Sequence, residues 1–162
     1  MFKQKIILTK EECNELIELC NSFNPSPVYN KDSGVYVKND RRNSEQSKFT
    51  NLDKVKKILL PKLGEFNISD LPDSTHMIRY KKGCFFKEHR DRGDGLEHRS
   101  LTLIVQLSDS KDYEGADLII NKRRASKDIG NLILFDSGLL HEVTELTKGK
   151  RNVLVSWITN NE

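Results

Sequence analysis

This chain of 162 residues has little that points to a membrane, a leader or a disulfide framework. No window approaches the roughly 20 consecutive apolar residues a bilayer span needs, so no membrane partner is expected. The opening MFKQKIILTKEEC holds an apolar stretch too short for a secretory leader, and the expected address is the cytoplasm. Three cysteines, Cys13, Cys20 and Cys84, form neither a CxxC pair nor an even set, so reduced thiols are expected. Excess charge of one sign is also scarce. A formal net charge of +3 is too small to imply nucleic acid. Repeats and low-complexity tracts are missing. What remains, 36% hydrophobic and 31% charged residues, is the composition of a soluble enzyme long enough to hold its own core.

The chain reads as a single domain, 1–162, with a helical and loop flank over 1–73 and a β core over 74–160. Thr9 followed by Glu12 is a capping-box pattern, and Cys13, Leu16, Ile17 and Cys20 then share one helical stripe. Residues 25–48 are polar and carry Pro27, Gly34 and Arg41-Arg42, as expected of a long loop or weak hairpin lying over a site as a lid. A second helix is expected over 52–60 with Val55, Ile58 and Leu59 inward, ended or kinked by Pro61. From Ser74 the pattern changes to short β runs between turn residues: 76–80, 85–88, 100–107, 116–120, a weak one at 125–128, 132–135, 141–146 and 153–158. Runs at this spacing predict a mainly β fold with N-terminal helices (α+β), closed as a jelly roll or barrel. An open sheet would leave long apolar edges exposed.

The chemistry starts at His89-Arg90-Asp91. Positions i and i+2 of a strand share a face, so His89 and Asp91 can reach one ion while Arg90 points away. Such a tripeptide alone, common by chance, reads better as a surface His beside an Asp. His141 adds a second imidazole after the apolar strand and turn LILFDSGLL. Two imidazoles and one carboxylate on Fe(II) leave three positions open, enough for a bidentate cosubstrate and O2. Arg151 opens the apolar run VLVSWI, and a guanidinium entering a buried strand needs a carboxylate partner. The distal carboxylate of a dicarboxylate would satisfy it through a bidentate fork. Tyr80 offers a phenol as a further donor to that cosubstrate.

Strand parity tests the arrangement. A tight hairpin at Lys148-Gly149 would turn His141 and Arg151 to opposite faces, where they could not serve one pocket. A jelly roll sends the two strands into different, facing sheets and removes the conflict. Within 101–107, Leu101, Leu103, Val105 and Leu107 form one apolar face suited to the helices. Thr102, Ile104 and Gln106 form a semi-polar face suited to a pocket.

The stretches RYKKGCFFKEHRD, RSLTLIVQLSD, YEGADLII and HEVTELTKGKRNVLVSWI together resemble the prolyl 4-hydroxylase-like branch of the Fe(II)/2-oxoglutarate-dependent oxygenases. They cover nearly all of 77–158 in order, although Ala116 stands where a second glycine is usual. The resemblance implies a double-stranded β-helix (jelly roll, cupin-like) and iron ligands His89, Asp91 and His141. It further implies Arg151 and Tyr80 on the 2-oxoglutarate carboxylates and Thr102 near the cosubstrate. Fe(II), 2-oxoglutarate and O2, with ascorbate as a stimulant, are the implied cofactors. The implied activity is that of a dioxygenase hydroxylating an amino-acid side chain, a prolyl residue of a peptide or protein.

Two other functions share parts of this pattern. Oxidative demethylation of alkylated nucleobases uses the same triad and an arginine anchor, but it wants stacking aromatics and a basic groove. Only Tyr29, Tyr36 and Phe49 of the first third offer stacking. A non-catalytic metal-binding jelly roll would have no need of Arg151 and Tyr80. Of the remaining candidates, His76 is assigned a structural or surface role, His98 a solvated loop, and Trp157 the core. Lys122-Arg123-Arg124 reads as a basic turn; Arg41, Arg42 and Arg92 could line the mouth and favour an acidic or phosphate-bearing substrate, with surface charge the preferred reading.

Overall fold

The computed structural model describes residues 2–30, 32–37 and 40–159. Strand β1 (Phe2–Ile6) leads into α1 (Lys10–Glu18), whose Thr9 and Glu12 close the expected capping box. Four very short strands follow: β2 (Asn24–Pro25), β3 (Val28–Asn30), β4 (Val35–Val37) and β5 (Arg42–Asn43). Then come β6 (Glu45–Lys48), α2 (Leu52–Leu63), β7 (His76–Tyr80), β8 (Phe85–His89) and β9 (Leu101–Gln106). The chain closes through β10 (Tyr113–Gly115), β11 (Leu118–Ile120), β12 (Arg123–Arg124), β13 (Asn131–Asp136), β14 (His141–Val143), β15 (Leu146–Gly149) and β16 (Arg151–Ile158).

Two sheets make a jelly roll: a seven-stranded one, β1-β13-β9-β16-β7-β6-β2, and a five-stranded one, β12-β11-β14-β8-β5. Alternation along the large sheet decides what each face does. Its outer residues, among them Met77, Leu103, Val105, Leu132 and Leu154, bury against Leu16 of α1 and Val55 and Leu59 of α2. Its inner residues Ile78, Ile104, Phe135, Val153 and Val155 meet Leu118, Ile120 and Val143 of the small sheet. At about 25 cal/mol per Å² of apolar surface, these two layers dominate the stability of the fold. The two faces of β9 divide as its sequence pattern predicts.

The strands His141–Val143 and Arg151–Ile158 do fall in different sheets, with β15 between them paired to β10. The expected single run over 141–146 is therefore two strands, broken where the chain changes sheets. No strand forms over 125–128. Asn121 and Lys122 take positive φ of 47° and 68° and turn β11 onto β12, so Arg123–Arg124 is the paired segment. The first third is also richer in strand than its polar sequence suggests. β1 pairs along β13, and β3 and β4 form a hairpin. Pro61 lies within α2 and does not end it. Its missing N–H removes one bond to the Lys57 carbonyl near the helix terminus, and the complete burial of Leu63 outweighs that loss.

His76 is buried, its Nδ1 on the Ser74 carbonyl at 2.8 Å and its ring 5.4 Å from that of Trp157. Burial pushes its pKa down to about 4. Above pH 6.5 the ring is neutral in folded and unfolded chains alike. As pH falls from 6.5 towards 4, the unfolded chain protonates first, and about 3 kcal/mol of stability is lost. A His76→Gln variant should show a shallower fall of Tm between pH 7 and 4 than the parent. Superimposable profiles would reject this assignment.

Candidate metal centre

His89 ends β8 and His141 opens β14, and the antiparallel register sets the two residues directly opposite each other. Asp91 lies two residues beyond the strand and outside it, its N–H bonded to the Ser137 carbonyl at 2.9 Å. One ligand atom from each of the three side chains lies within 4.8 Å of the others. The expected trio is thus brought to one point between the sheets.

Each imidazole is oriented by the same device. His89 Nδ1 lies 2.7 Å from the Lys87 carbonyl and His141 Nδ1 lies 2.9 Å from the Leu139 carbonyl. A carbonyl only accepts, so Nδ1 carries the proton and the Nε2 lone pair faces the centre. Phe86 stacks on His89 with ring centroids 3.6 Å apart. Asp91 spans the pair, with Oδ1 3.3 Å from His89 Nε2 and Oδ2 3.3 Å from His141 Nε2.

Oδ2 of Asp91 also accepts from the Thr102 hydroxyl at 2.7 Å and the Trp157 indole N–H at 3.1 Å. Thr102 bonds Ser137 Oγ at 2.9 Å in turn. The structure thus places Thr102 on the carboxylate. Trp157, expected in the core, lines the same cavity. The signal for it was present, since Arg151, Val153, Val155 and Trp157 alternate onto one face of β16.

Electrostatics keep the set ready for a cation. Burial alone would raise the Asp91 carboxyl, but the imidazoles of His141 and His89 reverse that and hold it well below the usual carboxylate range. Burial pushes His89 down despite Asp91. At His141 burial also acts downward, and the Asp91 charge outweighs it.

Deeper in the cavity, Arg151 sits opposite Tyr80 on the neighbouring strand, its guanidinium 5.2 Å from the ring centroid. Burial raises the Tyr80 pKa, so the phenol keeps its proton and remains a donor. Arg151 is 1% exposed and donates through Nε and Nη2 to Gln106 Oε1 at 3.1 and 2.7 Å. Among the described residues its Nη1 has no partner. A buried guanidinium nitrogen without an acceptor is costly, and a carboxylate entering the cavity would complete it. The residues present therefore fit both a divalent iron and a dicarboxylate beside it.

The mouth was legible in the sequence only in part. Arg99 is buried, stacks 3.6 Å from the Trp157 ring centroid and donates to Tyr36 Oη at 2.9 Å, which ties the β3–β4 hairpin to the centre. Arg42 lines the cavity and lies 4.5 Å over the Phe86 ring, so it is not simple surface charge. Arg92 instead pairs with Asp136 at 2.7 Å, Arg41 donates to the Glu88 carbonyl at 3.0 Å, and His98 is exposed.

Comparison with known proteins agrees with this geometry. The sequence profile of the 2OG-Fe(II) oxygenase superfamily matches residues 75–159. A PKHD-type hydroxylase of Prochlorococcus marinus strain MIT 9515 is 32% identical over 72% of this chain, which spans 56% of that relative's length. A second, from strain AS9601, is 31% identical over 90% of this chain and 73% of its own. The crystal structure of a Pseudomonas putida prolyl-4-hydroxylase superposes with a TM-score of 0.68 at 17% identity, over 99% of this chain and 93% of that one. The chain belongs to the 2OG-Fe(II) oxygenase superfamily, enzymes that work with Fe(II), 2-oxoglutarate and O2.

Proposed function

We propose that this protein is a dioxygenase that hydroxylates an amino-acid side chain, a prolyl residue of a peptide or protein. The observation that carries this is one cavity holding both the His89, Asp91 and His141 cluster and the unpartnered nitrogen of Arg151. In this reading His89, Asp91 and His141 hold the iron. Arg151 and Tyr80 take the far carboxylate of 2-oxoglutarate. Thr102 and Trp157 fix the Asp91 carboxylate so that Oδ1 is left for the ion. Bound there, the iron with 2-oxoglutarate and O2 supplies oxidation of a substrate C–H bond, the cosubstrate leaving as succinate and CO2. The inner-face residues Ile104, Val153 and Val155 line the cavity and exclude water from it.

A peptide substrate is supported by the names of the related hydroxylases and by the β3–β4 hairpin beside the mouth. Tyr29 and Tyr36 pack edge to face there, 5.2 Å apart, with Tyr36 half exposed at 51%. We read residues 25–48 as a substrate cover and 1–162 as one domain, since the helices and the large sheet share a core. Among the described residues no helix is long and apolar enough to cross a membrane, and we place the enzyme in the cytoplasm.

The test is anaerobic reconstitution with Fe(II) and 2-oxoglutarate, followed by succinate release on peptide, free amino-acid and nucleic-acid panels. A visible charge-transfer band and turnover on proline-containing peptides are expected. Turnover on nucleic acid alone would overturn the substrate class, and absence of the band would overturn the site.

A further inference from the structure

Among the described residues Arg151 is the one arginine in the set of largest wholly enclosed side chains, and its partner is a neutral amide. Gln106 reaches it from β9 on one side of β16, and Tyr80 flanks it from β7 on the other. Among the described residues no carboxylate lies within ion-pair distance of it. Gln106 Oε1 takes two of its hydrogen bonds, at 3.1 and 2.7 Å, which fixes the plane of the guanidinium and leaves Nη1 free. The guanidinium only donates, so the carbonyl end of the amide faces Arg151, and at the other end Gln106 Nε2 donates to Tyr113 Oη at 3.0 Å. Tyr113 is 3% exposed at the start of β10, with the Lys127 ammonium 4.5 Å over its ring.

We propose that the Gln106–Tyr113 pair is a positioning device that holds Arg151 by hydrogen bonds while leaving its charge unneutralised, and so makes the pocket selective for a 2-oxo acid with a distal carboxylate. The inference rests on the assignment of Arg151 as the anchor for 2-oxoglutarate. A carboxylate at 106 would satisfy the guanidinium better, as a buried ion pair, but would cancel the charge that recruits the cosubstrate. Neutrality at this position trades stability for a binding site. The amide also has two ends of opposite polarity: the guanidinium selects the carbonyl end, and Tyr113 Oη, accepting from the NH2 end, holds the side chain in place. A flipped amide would put NH2 against guanidinium, donor against donor.

The two roles separate in one substitution. If Gln106 served packing and hydrogen bonding alone, Gln106→Glu, of the same shape and now charge-paired, would bind cosubstrate as before. On the present proposal Gln106→Glu keeps or raises Tm yet binds 2-oxoglutarate at least tenfold more weakly. Binding is read by calorimetry on protein loaded with Mn(II) in place of Fe(II), so no turnover is needed. The same titration with 2-oxopentanoate, which has the same chain length and no distal carboxylate, gives the selectivity ratio. The parent should favour 2-oxoglutarate strongly, and in Gln106→Glu that ratio should collapse because only the dicarboxylate loses affinity. Tyr113→Phe, which removes the acceptor that holds the Gln106 amide in place, should weaken 2-oxoglutarate severalfold and 2-oxopentanoate little, independently of how Gln106→Glu folds. Unchanged affinity and ratio in both variants would overturn this proposal while leaving the Arg151 anchor standing. A parent protein that does not discriminate between the two acids would overturn the anchor and this proposal together.

Discussion

Asp91→Asn should lower succinate formation by at least 1,000-fold while the protein still folds. The substitution keeps the shape of the side chain and one carbonyl oxygen, so the Thr102 hydroxyl and the Trp157 indole, now 2.7 and 3.1 Å from Oδ2, retain an acceptor. The negative charge is what disappears. It lies 3.3 Å from each imidazole Nε2, and it is the anionic member of the cluster that would hold iron. Two imidazoles and an amide are a far poorer set for ferrous iron than two imidazoles and a carboxylate. Metal retained after anaerobic reconstitution and gel filtration should therefore fall in parallel with turnover. The loss should be specific to the site, with Tm changing by only a few degrees, because the donors around the carboxylate stay satisfied. His141→Ala should lose activity as completely, but with a larger drop in Tm, since it opens a cavity beside Phe135, whose ring centroid is 4.8 Å away. Turnover within tenfold of the parent in Asp91→Asn would reject the assignment of this cluster as the iron site.

Where the sequence was informative, it was so through periodicity. The alternation of β9 into a helix-facing and a cavity-facing row is a local pattern that survives folding unchanged, whereas His89 and Asp91 meet although the strand ends at His89 and Asp91 is held outside it by the Ser137 carbonyl. The conflict between His141 and Arg151 in a simple hairpin was also decidable from the numbering. It required the two strands to lie in different sheets, as they do. The missed features are long-range. β1 is built from FKQKI, with Lys3 and Lys5 exposed, and it becomes a strand because β13 offers it an edge. Arg99 follows an exposed loop, and nothing local shows that it will be drawn under Tyr36 and onto Trp157. Ala116 illustrates a departure that the fold absorbs. It takes a φ of 49° next to Gly115, whose own Cβ would meet the Glu145 carbonyl oxygen at 2.2 Å. The bend between β10 and β11 is therefore obligatory, and alanine carries about 1–2 kcal/mol of strain there.

Arg151→Met should chiefly raise the 2-oxoglutarate requirement, by roughly 30- to 1,000-fold. The range follows from losing a charge-assisted interaction of about 2–4 kcal/mol through the Nη1 end of the guanidinium, with tenfold in affinity for each 1.4 kcal/mol. Methionine fills much of the same space, so the walls made by Tyr80, Val153 and Ile104 need not collapse. For the protein without cosubstrate, two effects oppose each other. Removing a buried cation with an unpartnered nitrogen is favourable, whereas Gln106 Oε1 is left without its two donors. Their near cancellation should leave Tm close to that of the parent. Adding 2-oxoglutarate separates the two proteins, because a ligand stabilises by RT ln(1 + [L]/Kd). The parent's Tm should rise with concentration, and that of Arg151→Met should stay flat until the concentration is raised by the same 30- to 1,000-fold factor. Turnover at saturating cosubstrate should change much less than KM, since on the proposed assignment Arg151 would bind the far end and not the oxidised one. A variant whose KM matches the parent's would remove Arg151 from the cosubstrate site, and its burial beneath the iron-binding cluster would then need another cause.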